Sequence, residues 1–579
     1  MKTSGEIEFN VKSYGATGNG KTKDTISIQK AIDACNKAGG GVVVFPAGTY
    51  LTGTIWLRDN VTLHLHSGSV LQGSGNIDDY FQKSTYLLAA IKIKNAGITG
   101  TGTINCGAFS FFRRRLTDMG NNIDQKNDNY QNMVDFCVDE NQGKRAVYRW
   151  GVVPWRPRIT LFMFKCENIS VRGVRFEEGA CTTINMTGCK NARIDNVTID
   201  NDWSFGSGPF PGRATLQATD GLNIIACRNV FITNCYIRSE DDPICFYHDI
   251  HSFRSFFLPD KSSDNRYIAH MYNGAISYMP MTVEEMNQFI SESHQLTQEE
   301  YAQLPTENIV VSNCILHTHC NAFRINGGEK GAIRNITIDN CIITRASIVF
   351  NIMNWYRILG LFDFPGTTEI NNVRISNITA CGITHYPFHI HNQSLKERDK
   401  GHIKDISISN SSFEFGTNDI GGDGCSHILG DKDRFLENIS LNHVRFKFAG
   451  AGRGIDTNWN GEVRYPFLLG CLGPGDDGWC LFPYALYCRN IDKLHFHDVT
   501  IEWCEKAKSW LSALRCDHVK NLRMDSMDIG ACPSGRKEPL VILNDVQNPV
   551  VWGCVKSVGG ELSPLEKGDG NKDIRLVNC

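Results

Sequence analysis

Short segments of alternating apolar and polar residues recur along most of this 579-residue chain. Alternation with a period of two predicts β-strands that each bury one face. Spacings between segment starts include 191 − 168 = 23, 335 − 308 = 27 and 438 − 405 = 33 residues, which are typical of one coil of a parallel β-solenoid. The segments begin at Asn168, Asn191, Asn229, Asn308, Asn335, Asn372, Asp405, Asn438, Asn490 and Asn521. The pattern therefore predicts an all-β chain whose strands stack in one direction.

A second asparagine recurs after many of these segments. Asparagine tolerates a positive φ and bonds its local backbone, so stacked turns are expected to use it as a ladder. A β-propeller, the alternative, would require longer units of four strands each. Many of the 22 cysteines occupy equivalent repeat positions, which favours small buried hydrophobes over disulfides or zinc ligands. The second asparagines are Asn196, Asn234, Asn313, Asn340, Asn377 and Asn410.

We expect one domain over residues 1–579, with an N-terminal cap at about residues 1–50. A capping helix is predicted to begin at Asp24 or Thr25 and to end at the glycines 39–41. Its shared apolar face consists of Ile28, Ala31, Ile32 and Cys35. Long insertions interrupt the repeat at about residues 250–306 and, rich in aromatic residues, at about 450–487. The first insertion is expected to wall a cleft, and a packing or dimer helix is the alternative.

Charge and termini narrow the class of partner. A formal net charge of −3 argues against nucleic acid as the main partner. Residues 1–6 lack the apolar segment of a signal peptide, and no apolar run is long enough to span a membrane. The many free thiols favour a reducing compartment such as the cytoplasm. A secreted or periplasmic protein whose signal has been removed is the alternative.

Three carboxylates are predicted to meet on neighbouring coils. Asp220 precedes the doublet Asp241 and Asp242 by 241 − 220 = 21 residues, about one coil. Crowded carboxylates repel each other and raise the pKa of one member, which then retains its proton as a general acid. Hydrolysis of a glycosidic bond uses such an acid together with a carboxylate that activates water. Adjacent aspartates on a regular strand face opposite ways, so both serve only if the strand ends there, as Pro243 favours. A solvated turn is the alternative.

Five further side chains are candidates for the same site: His248, His319, Arg324, Trp203 and Trp355. His319 lies two coils beyond Asp220 once the insertion is skipped, and it is predicted to orient an acid or bond a sugar hydroxyl. Its neighbour His317 is the alternative. His248 and Arg324 are predicted to contact substrate, as are the two loop tryptophans, since aromatic faces stack on sugar rings. A surface salt bridge for the arginine and loop packing for the tryptophans are the alternatives.

Several motifs resemble glycoside hydrolase family 28, the polygalacturonase family of the pectin-lyase-like superfamily. Residues 9–20, 40–50 and 98–104 resemble stretches that many pectinase-type β-helices share. Residues 218–220, 240–242 and 318–320 stand where the family has Asn-Thr-Asp, Gly-Asp-Asp and Gly-His-Gly. The resemblance implies a single right-handed parallel β-helix, inverting hydrolysis and no cofactor. It also implies that Asp241 is the general acid and that Asp220 and Asp242 hold the water.

One departure bears on the substrate. The family's Arg-x-Lys pair, which engages a substrate carboxylate, is replaced by Ile348 and Phe350. We expect an inverting glycoside hydrolase that cleaves a pectin-like or related polysaccharide or oligosaccharide, with specificity shifted by this loss from galacturonate towards a neutral sugar. A polysaccharide lyase or epimerase on the same scaffold and a non-catalytic carbohydrate-binding solenoid are the alternatives. A faint resemblance to dextranase-type β-helix hydrolases also leaves α-glucans open.

Overall fold

The computed structural model divides the chain into two compact units. Unit 1 includes Met1–Cys245, and unit 2 includes Phe246–Asp249 and Pro305–Cys579. The prediction of one domain over residues 1–579 stays a prediction. The structure describes residues 7–80, 86–116, 131–139, 144–152, 157, 159–201, 219–248, 303–328, 330–354, 367–392, 401–415, 426–448, 484–503, 512–530, 540–553, 555–556, 566–567 and 575–577. Of the two expected insertions, only residues 303–306 and 484–487 fall in these ranges.

Unit 1 consists mainly of short strands. Its described α-helix is α1, Thr25–Lys37, and its 3-10 helices are Val11–Tyr14, Ile77–Asp79 and Ala108–Phe111. The strands are β1 Glu8–Asn10, β2 Asn19–Lys23, β3 Gly41–Phe45, β4 Gly48–Thr52, β5 Ile55–Trp56, β6 Val61–Leu65, β7 Ser69–Gly73, β8 Tyr86–Ile91, β9 Lys94–Gly100, β10 Thr103–Asn105, β11 Phe112–Leu116, β12 Gln131–Asp139, β13 Lys144–Val152, β14 Ile159–Phe164, β15 Glu167–Arg172, β16 Arg175–Glu177, β17 Thr182–Thr187, β18 Lys190–Asp195, β19 Thr198–Asp200, β20 Leu222–Ile225, β21 Arg228–Thr233 and β22 Tyr236–Ser239.

Strands one coil apart pair in parallel throughout the repeat of unit 1. In β15, β18 and β21, Ile169 lies beside Ala192 and Ala192 lies beside Val230. All three side chains are buried, whereas the alternate positions face outward. β11, β13 and β12 form a separate antiparallel sheet. The sequence pattern thus predicted both the strand direction and the buried face.

The N-terminal helix is confirmed. α1 begins at Thr25 and buries Ile28, Ala31, Ile32 and Cys35, the face that the sequence indicated. It packs against β1, β3 and β5, so it covers strands that begin the unit. Gly41 then opens β3 with a φ of 145°, and a β-carbon there would stand 2.4 Å from the Ile7 carbonyl oxygen. Glycine is therefore required where the helix gives way to the first stacked strand.

Unit 2 repeats the same construction with longer strands. β23, Ile244–His248, contains the point at which the two units divide. The remaining strands are β24 Thr306–Ser312, β25 Ile315–Thr318, β26 Asn321–Gly327, β27 Gly331–Asp339, β28 Ile342–Asn354, β29 Thr368–Ser376, β30 Thr379–Asn392, β31 His402–Phe415, β32 Ser426–Leu429, β33 Leu436–Phe448, β34 Tyr484–Trp503, β35 Ser512–Asp525, β36 Asp528–Ile529, β37 Val541–Asn544, β38 Val550–Trp552, β39 Val555–Lys556, β40 Glu566–Lys567 and β41 Arg575–Val577. The all-β parallel-helix prediction is confirmed.

Turn asparagines link successive coils within each unit. Among the second asparagines, for which the sequence predicted a ladder, Asn340 donates to Asn313 Oδ1 at 2.8 Å. The asparagines that begin the segments form chains of the same kind. In unit 1, Asn191 donates to Asn168 Oδ1 at 3.1 Å and accepts from Asn229 Nδ2 at 2.9 Å. In unit 2, Asn335 donates to Asn308 Oδ1 at 2.9 Å and accepts from Asn372 Nδ2 at 2.8 Å. These residues adopt φ values of 50–57°, a left-handed conformation that asparagine tolerates better than most residues. We call these chains of hydrogen bonds between side-chain amides the asparagine ladders.

The cysteines behave as the repeat pattern indicated. The described ones are free thiols, and all but Cys381 are buried. Cys189 and Cys227 stack on successive coils, with the Cys189 backbone N–H 3.3 Å from Cys227 Sγ. Burial raises the pKa of the Cys189 thiol well above its usual value, so it serves as a small hydrophobe rather than a nucleophile. Among the described residues, no helix combines the length and the apolarity needed to cross a membrane.

The ladder in unit 2 makes a stability prediction. Asn335→Ala removes two ladder bonds and places alanine at a φ of 57°, so we expect a loss of about 2–4 kcal/mol in the free energy of unfolding. Asn335→Gly removes the same bonds but accepts the backbone conformation, so it should lose about 1–2 kcal/mol less than alanine. Urea unfolding measures both values. Equal losses for the two variants would show that the left-handed turn carries no strain.

Candidate active site

Asp241 and Asp242 lie in a gap between two strands of the repeat. β22 ends at Ser239 and β23 begins at Ile244, so the doublet and Pro243 form the connection. The prediction that the strand ends at this doublet is confirmed. Asp241 is half-buried, and Asp242 is fully buried at 0% exposure. The two side chains therefore lie in different environments although they are adjacent in the chain.

Asp220 lies on the coil next to this doublet within unit 1. The Gly221 backbone N–H donates to the Asp242 carbonyl oxygen at 2.9 Å, and the next N–H along the chain donates to the Pro243 carbonyl oxygen at 2.8 Å. These are backbone hydrogen bonds of the kind that join neighbouring parallel strands, whose usual separation is about 4.8 Å. The spacing argument from sequence therefore placed the three aspartates on adjacent coils correctly.

Local hydrogen bonds hold the doublet in place. The Asp242 backbone N–H donates to Asp241 Oδ1 at 3.0 Å, and Ser239 Oγ donates to the Asp241 carbonyl oxygen at 2.7 Å. Cys245 Sγ lies 3.7 Å from Asp242 Oδ2. Carboxylate oxygens of the doublet approach within 4.8 Å of each other, which is shorter than the roughly 6.5–9.5 Å of an inverting acid and base. An inverting reaction therefore needs Asp220 as a participant in addition to the doublet.

Asn223 is a site residue that sequence reasoning missed. Its Nδ2 donates to Asp220 Oδ2 at 2.9 Å, and Thr182 Oγ1 lies 3.3 Å from the same nitrogen. The asparagine is only 4% exposed and lies beside Asn185 of β17 in the parallel register. The available signal was one polar residue in an otherwise apolar strand three residues after the aspartate. An amide donor at this distance fixes the orientation of the Asp220 carboxylate.

In unit 2, His319 and Arg324 lie near the start of β26. The His319 ring is 6.1 Å from the His317 ring, and His317 Nδ1 lies 3.0 Å from Thr344 Oγ1. The Arg324 guanidinium lies over the Tyr247 ring, with Cζ 5.9 Å from its centroid. With the Asn326 amide oriented to satisfy both groups, Arg324 Nε donates to Oδ1 at 2.8 Å. The catalytic role of His319 and the substrate contact of Arg324 stay predictions.

His248 is buried in unit 2. Its exposure is 0%, and its Nε2 donates to the Lys330 carbonyl oxygen at 3.2 Å. A β-carbon on Gly331 would overlap this ring, so glycine is required beside it. Burial lowers the pKa of His248 to about 4, which keeps the ring neutral near neutral pH. The predicted contact of His248 with substrate stays a prediction.

Two other expectations concern substrate recognition. Trp203 and Trp355 lie outside the described residues. Ile348 and Phe350, which replace the family's cationic pair, are core residues at 4% and 0% exposure. The Phe350 ring stacks on Phe323 with centroids 5.2 Å apart. A cation could not replace either side chain without burying a charge in this core.

A group of buried histidines on unit 2 was also missed. The rings of His389 and His427 lie 4.3 Å apart on adjacent coils, and His391 lies 5.3 Å from His389. Burial lowers the pKa of His389 well below its usual value and that of His391 to about 4. These histidines do not match the turn motif, so repeat analysis gave no signal for them.

Family models match two consecutive parts of the chain. A model described as rhamnogalacturonase A/epimerase, pectate lyase-like, matches residues 8–147, and the model of glycosyl hydrolases family 28 matches residues 155–251. The second match contains Asp220, Asp241 and Asp242. The predicted resemblance to glycoside hydrolase family 28 is thereby confirmed for this segment of the chain.

Particular relatives and solved structures resemble the chain over different lengths. An exo-poly-α-D-galacturonosidase from Dickeya chrysanthemi is 28% identical over 270 residues, covering 41% of this chain and 41% of that protein. Alginate lyase 7 from Azotobacter vinelandii is 61% identical over 44 residues, covering 8% of this chain and 5% of that protein. The structure of the family 28 exopolygalacturonase of Yersinia enterocolitica aligns over 94% of this chain and 78% of that chain, with 15% identity and a TM-score of 0.55. The chain thus spans less than half the length of the curated relatives it matches.

The buried His248 predicts a loss of stability in acid. Above pH 6.5 the ring is neutral in both the folded and the unfolded chain. As the pH falls from 6.5 to about 4, the unfolded chain binds a proton that the folded chain does not, so the free energy of unfolding decreases by up to about 1.4 kcal/mol per pH unit. His248→Gln should show a smaller decrease in urea unfolding between about pH 7 and about pH 4.5. The same decrease as in the unchanged chain would contradict this assignment.

Proposed function

We propose that the chain hydrolyses glycosidic bonds in a pectin-like polysaccharide or oligosaccharide with inversion at the anomeric carbon. The observation that carries the proposal is the backbone contact that places Asp220 on the coil beside Asp241 and Asp242. That contact lies in the segment matched by the family 28 model. A galacturonosidase among the relatives supports a pectic substrate.

Each aspartate has a distinct role in this proposal. Asp241 is the partly exposed member of the doublet, so it is the one placed to donate a proton to the leaving oxygen. Asp242 is buried, with its backbone N–H bonded to Asp241 Oδ1, and it positions water from the inner side of the site. Asp220, held by Asn223, shares that water from the neighbouring coil. Water gives a proton to one of these two carboxylates as its oxygen attacks the face of the sugar opposite the leaving group, which inverts the configuration.

The first test removes the proton donor. Asp241→Asn keeps the size of the side chain but cannot supply the proton, so reducing-end release from pectic fragments should fall by at least about a thousand-fold. Asp78→Asn, at the exposed member of another aspartate doublet of unit 1, is the matched control and should leave the rate unchanged. Proton NMR of the first product should show the inverted anomer. Retained configuration, or full activity of Asp241→Asn, would refute the mechanism.

The same assays separate the alternatives. A lyase yields unsaturated ends that absorb ultraviolet light, and a lyase that needs Ca²⁺ to neutralise a uronate would lose activity with a chelator. An epimerase changes the sugar without releasing reducing ends. A non-catalytic solenoid would bind glycans equally well with or without Asp241→Asn and would give no product from the unchanged chain.

Asn223 should affect turnover more than affinity. Asn223→Ala removes the donor that orients Asp220, so we expect kcat to fall by about 10–100-fold with little change in KM. Asn223→Asp places a second carboxylate against Asp220 and should be worse than alanine. Asn185→Ala, a fully buried asparagine in register on β17, is the control for lost packing. Equal kcat losses for the alanine variants at both positions would reduce Asn223 to a structural residue.

A further inference from the structure

A polar patch lies on the outer face of one sheet of unit 2. Its members come from β30, β32, β34 and β35, where His389, His427, Tyr487 and Arg515 are successive register partners. The intervening positions, such as Ile428 and Cys488, belong to the core, so the patch residues point away from it. We define the outer polar patch as His389, His391, His427, Tyr487, Arg489 and Arg515.

Two acidic residues lie near the patch: Asp431, whose charge acts on His391, and Asp517, whose carboxylate is already used. Asp517 accepts from Arg515 Nε, with both carboxylate oxygens at 3.0 Å. The Tyr487 hydroxyl donates to Asp517 Oδ2 at 2.8 Å. Arg515 is further fixed because its Nη1 donates to the Tyr484 hydroxyl at 3.0 Å. The charges of Arg515 and Asp517 are therefore balanced by each other.

Arg489 is the cation that remains unbalanced. It is the register partner of Asp517, yet its guanidinium makes neither an ion pair within 4.0 Å nor a hydrogen bond in the part of the chain that the structure describes. Its Nε is buried, whereas the side chain as a whole is only half-buried and can be reached from outside. Burying an unpaired guanidinium nitrogen costs free energy, so fold stability does not explain this arginine.

The histidines of the patch add no positive charge to that of Arg489. Burial lowers the pKa of His389 and of His391, so both rings are neutral near neutral pH. The rings of His389, His391 and His427 are also buried, so the patch residues that a ligand can reach from outside are Arg489 and Arg515.

We propose that Arg489 binds the carboxylate of an acidic sugar unit. The inference rests on the proposed function for its class of ligand. The core positions Ile348 and Phe350 offer no cation, so a carboxylate must be recognised elsewhere. Arginine fits this role because its planar fork can bind both carboxylate oxygens at once.

The test measures binding without turnover. In the Asp241→Asn chain, calorimetry compares galacturonate oligomers with the same oligomers after reduction of their carboxyl groups. Arg489→Gln should weaken binding of the acidic oligomer by about 10-fold or more and leave binding of the neutral oligomer unchanged. The affinity of Arg489→Lys for the acidic oligomer should lie between that of the parent chain and that of Arg489→Gln, because lysine keeps the positive charge but lacks the planar guanidinium. Arg523→Gln, an exposed arginine of β35, is the matched control and should bind like the parent.

Four results would overturn the inference. They are unchanged acidic-oligomer affinity in Arg489→Gln, equal losses for acidic and neutral oligomers, no binding of the acidic oligomer at all, and competition by inorganic sulfate as strong as that by the oligomer. Thermal unfolding checks the fold, and Arg489→Gln should not lower Tm because it removes an unpaired buried charge. Failure of the proposed function is a separate result, since it shows as absent reducing-end release in the chain with Asp241 intact.

Discussion

The hydrogen bond between the side-chain amides of asparagines on successive coils is the interaction on which each unit depends. A parallel strand gains its partners only from the coils before and after it, so every turn must repeat the same geometry. Positive-φ asparagines such as Asn191 and Asn335 supply that geometry, and their side chains fix the distance to the next coil. The strands can then stay in register while the loops between them vary. Functional side chains are held in position because they are attached to these regularly stacked coils.

The candidate active site lies where the regular stacking of strands is interrupted. At Asp241 and Asp242 the strand stops for a few residues, so one carboxylate faces inward and the other stays partly exposed. The adjacent coil remains in register, and the Gly221 N–H still reaches the Asp242 carbonyl oxygen. A local break in one strand against a regular neighbour thus gives two adjacent aspartates different surroundings. Different surroundings are what allow chemically identical groups to act as acid and as base.

Periodic features were predictable from sequence, and isolated ones were not. The helix at Thr25–Lys37, the left-handed asparagines and the one-coil spacing of Asp220 from the doublet follow from local patterns that recur. Asn223 and Arg489 do not match the repeat motif, since Asn223 is a single polar residue in an apolar strand and Arg489 is one of several polar residues of β34. Period-two alternation treats any outward position as solvent-facing. Whether such a position is buried depends on distant parts of the chain, which the local pattern does not encode.

The asparagine ladders have a direction. Each carboxamide gives its N–H to the coil before it and receives one from the coil after it, as Asn335 does between Asn308 and Asn372. Asp405 receives from Asn438 at 2.6 Å, but an ionised carboxylate has no N–H to pass on. Slow deamidation of an asparagine within a ladder would likewise remove the N–H donor, so that the side chain only accepts, and would add a negative charge. Chemical ageing of such a chain would therefore divide a continuous ladder into shorter segments without cutting the backbone.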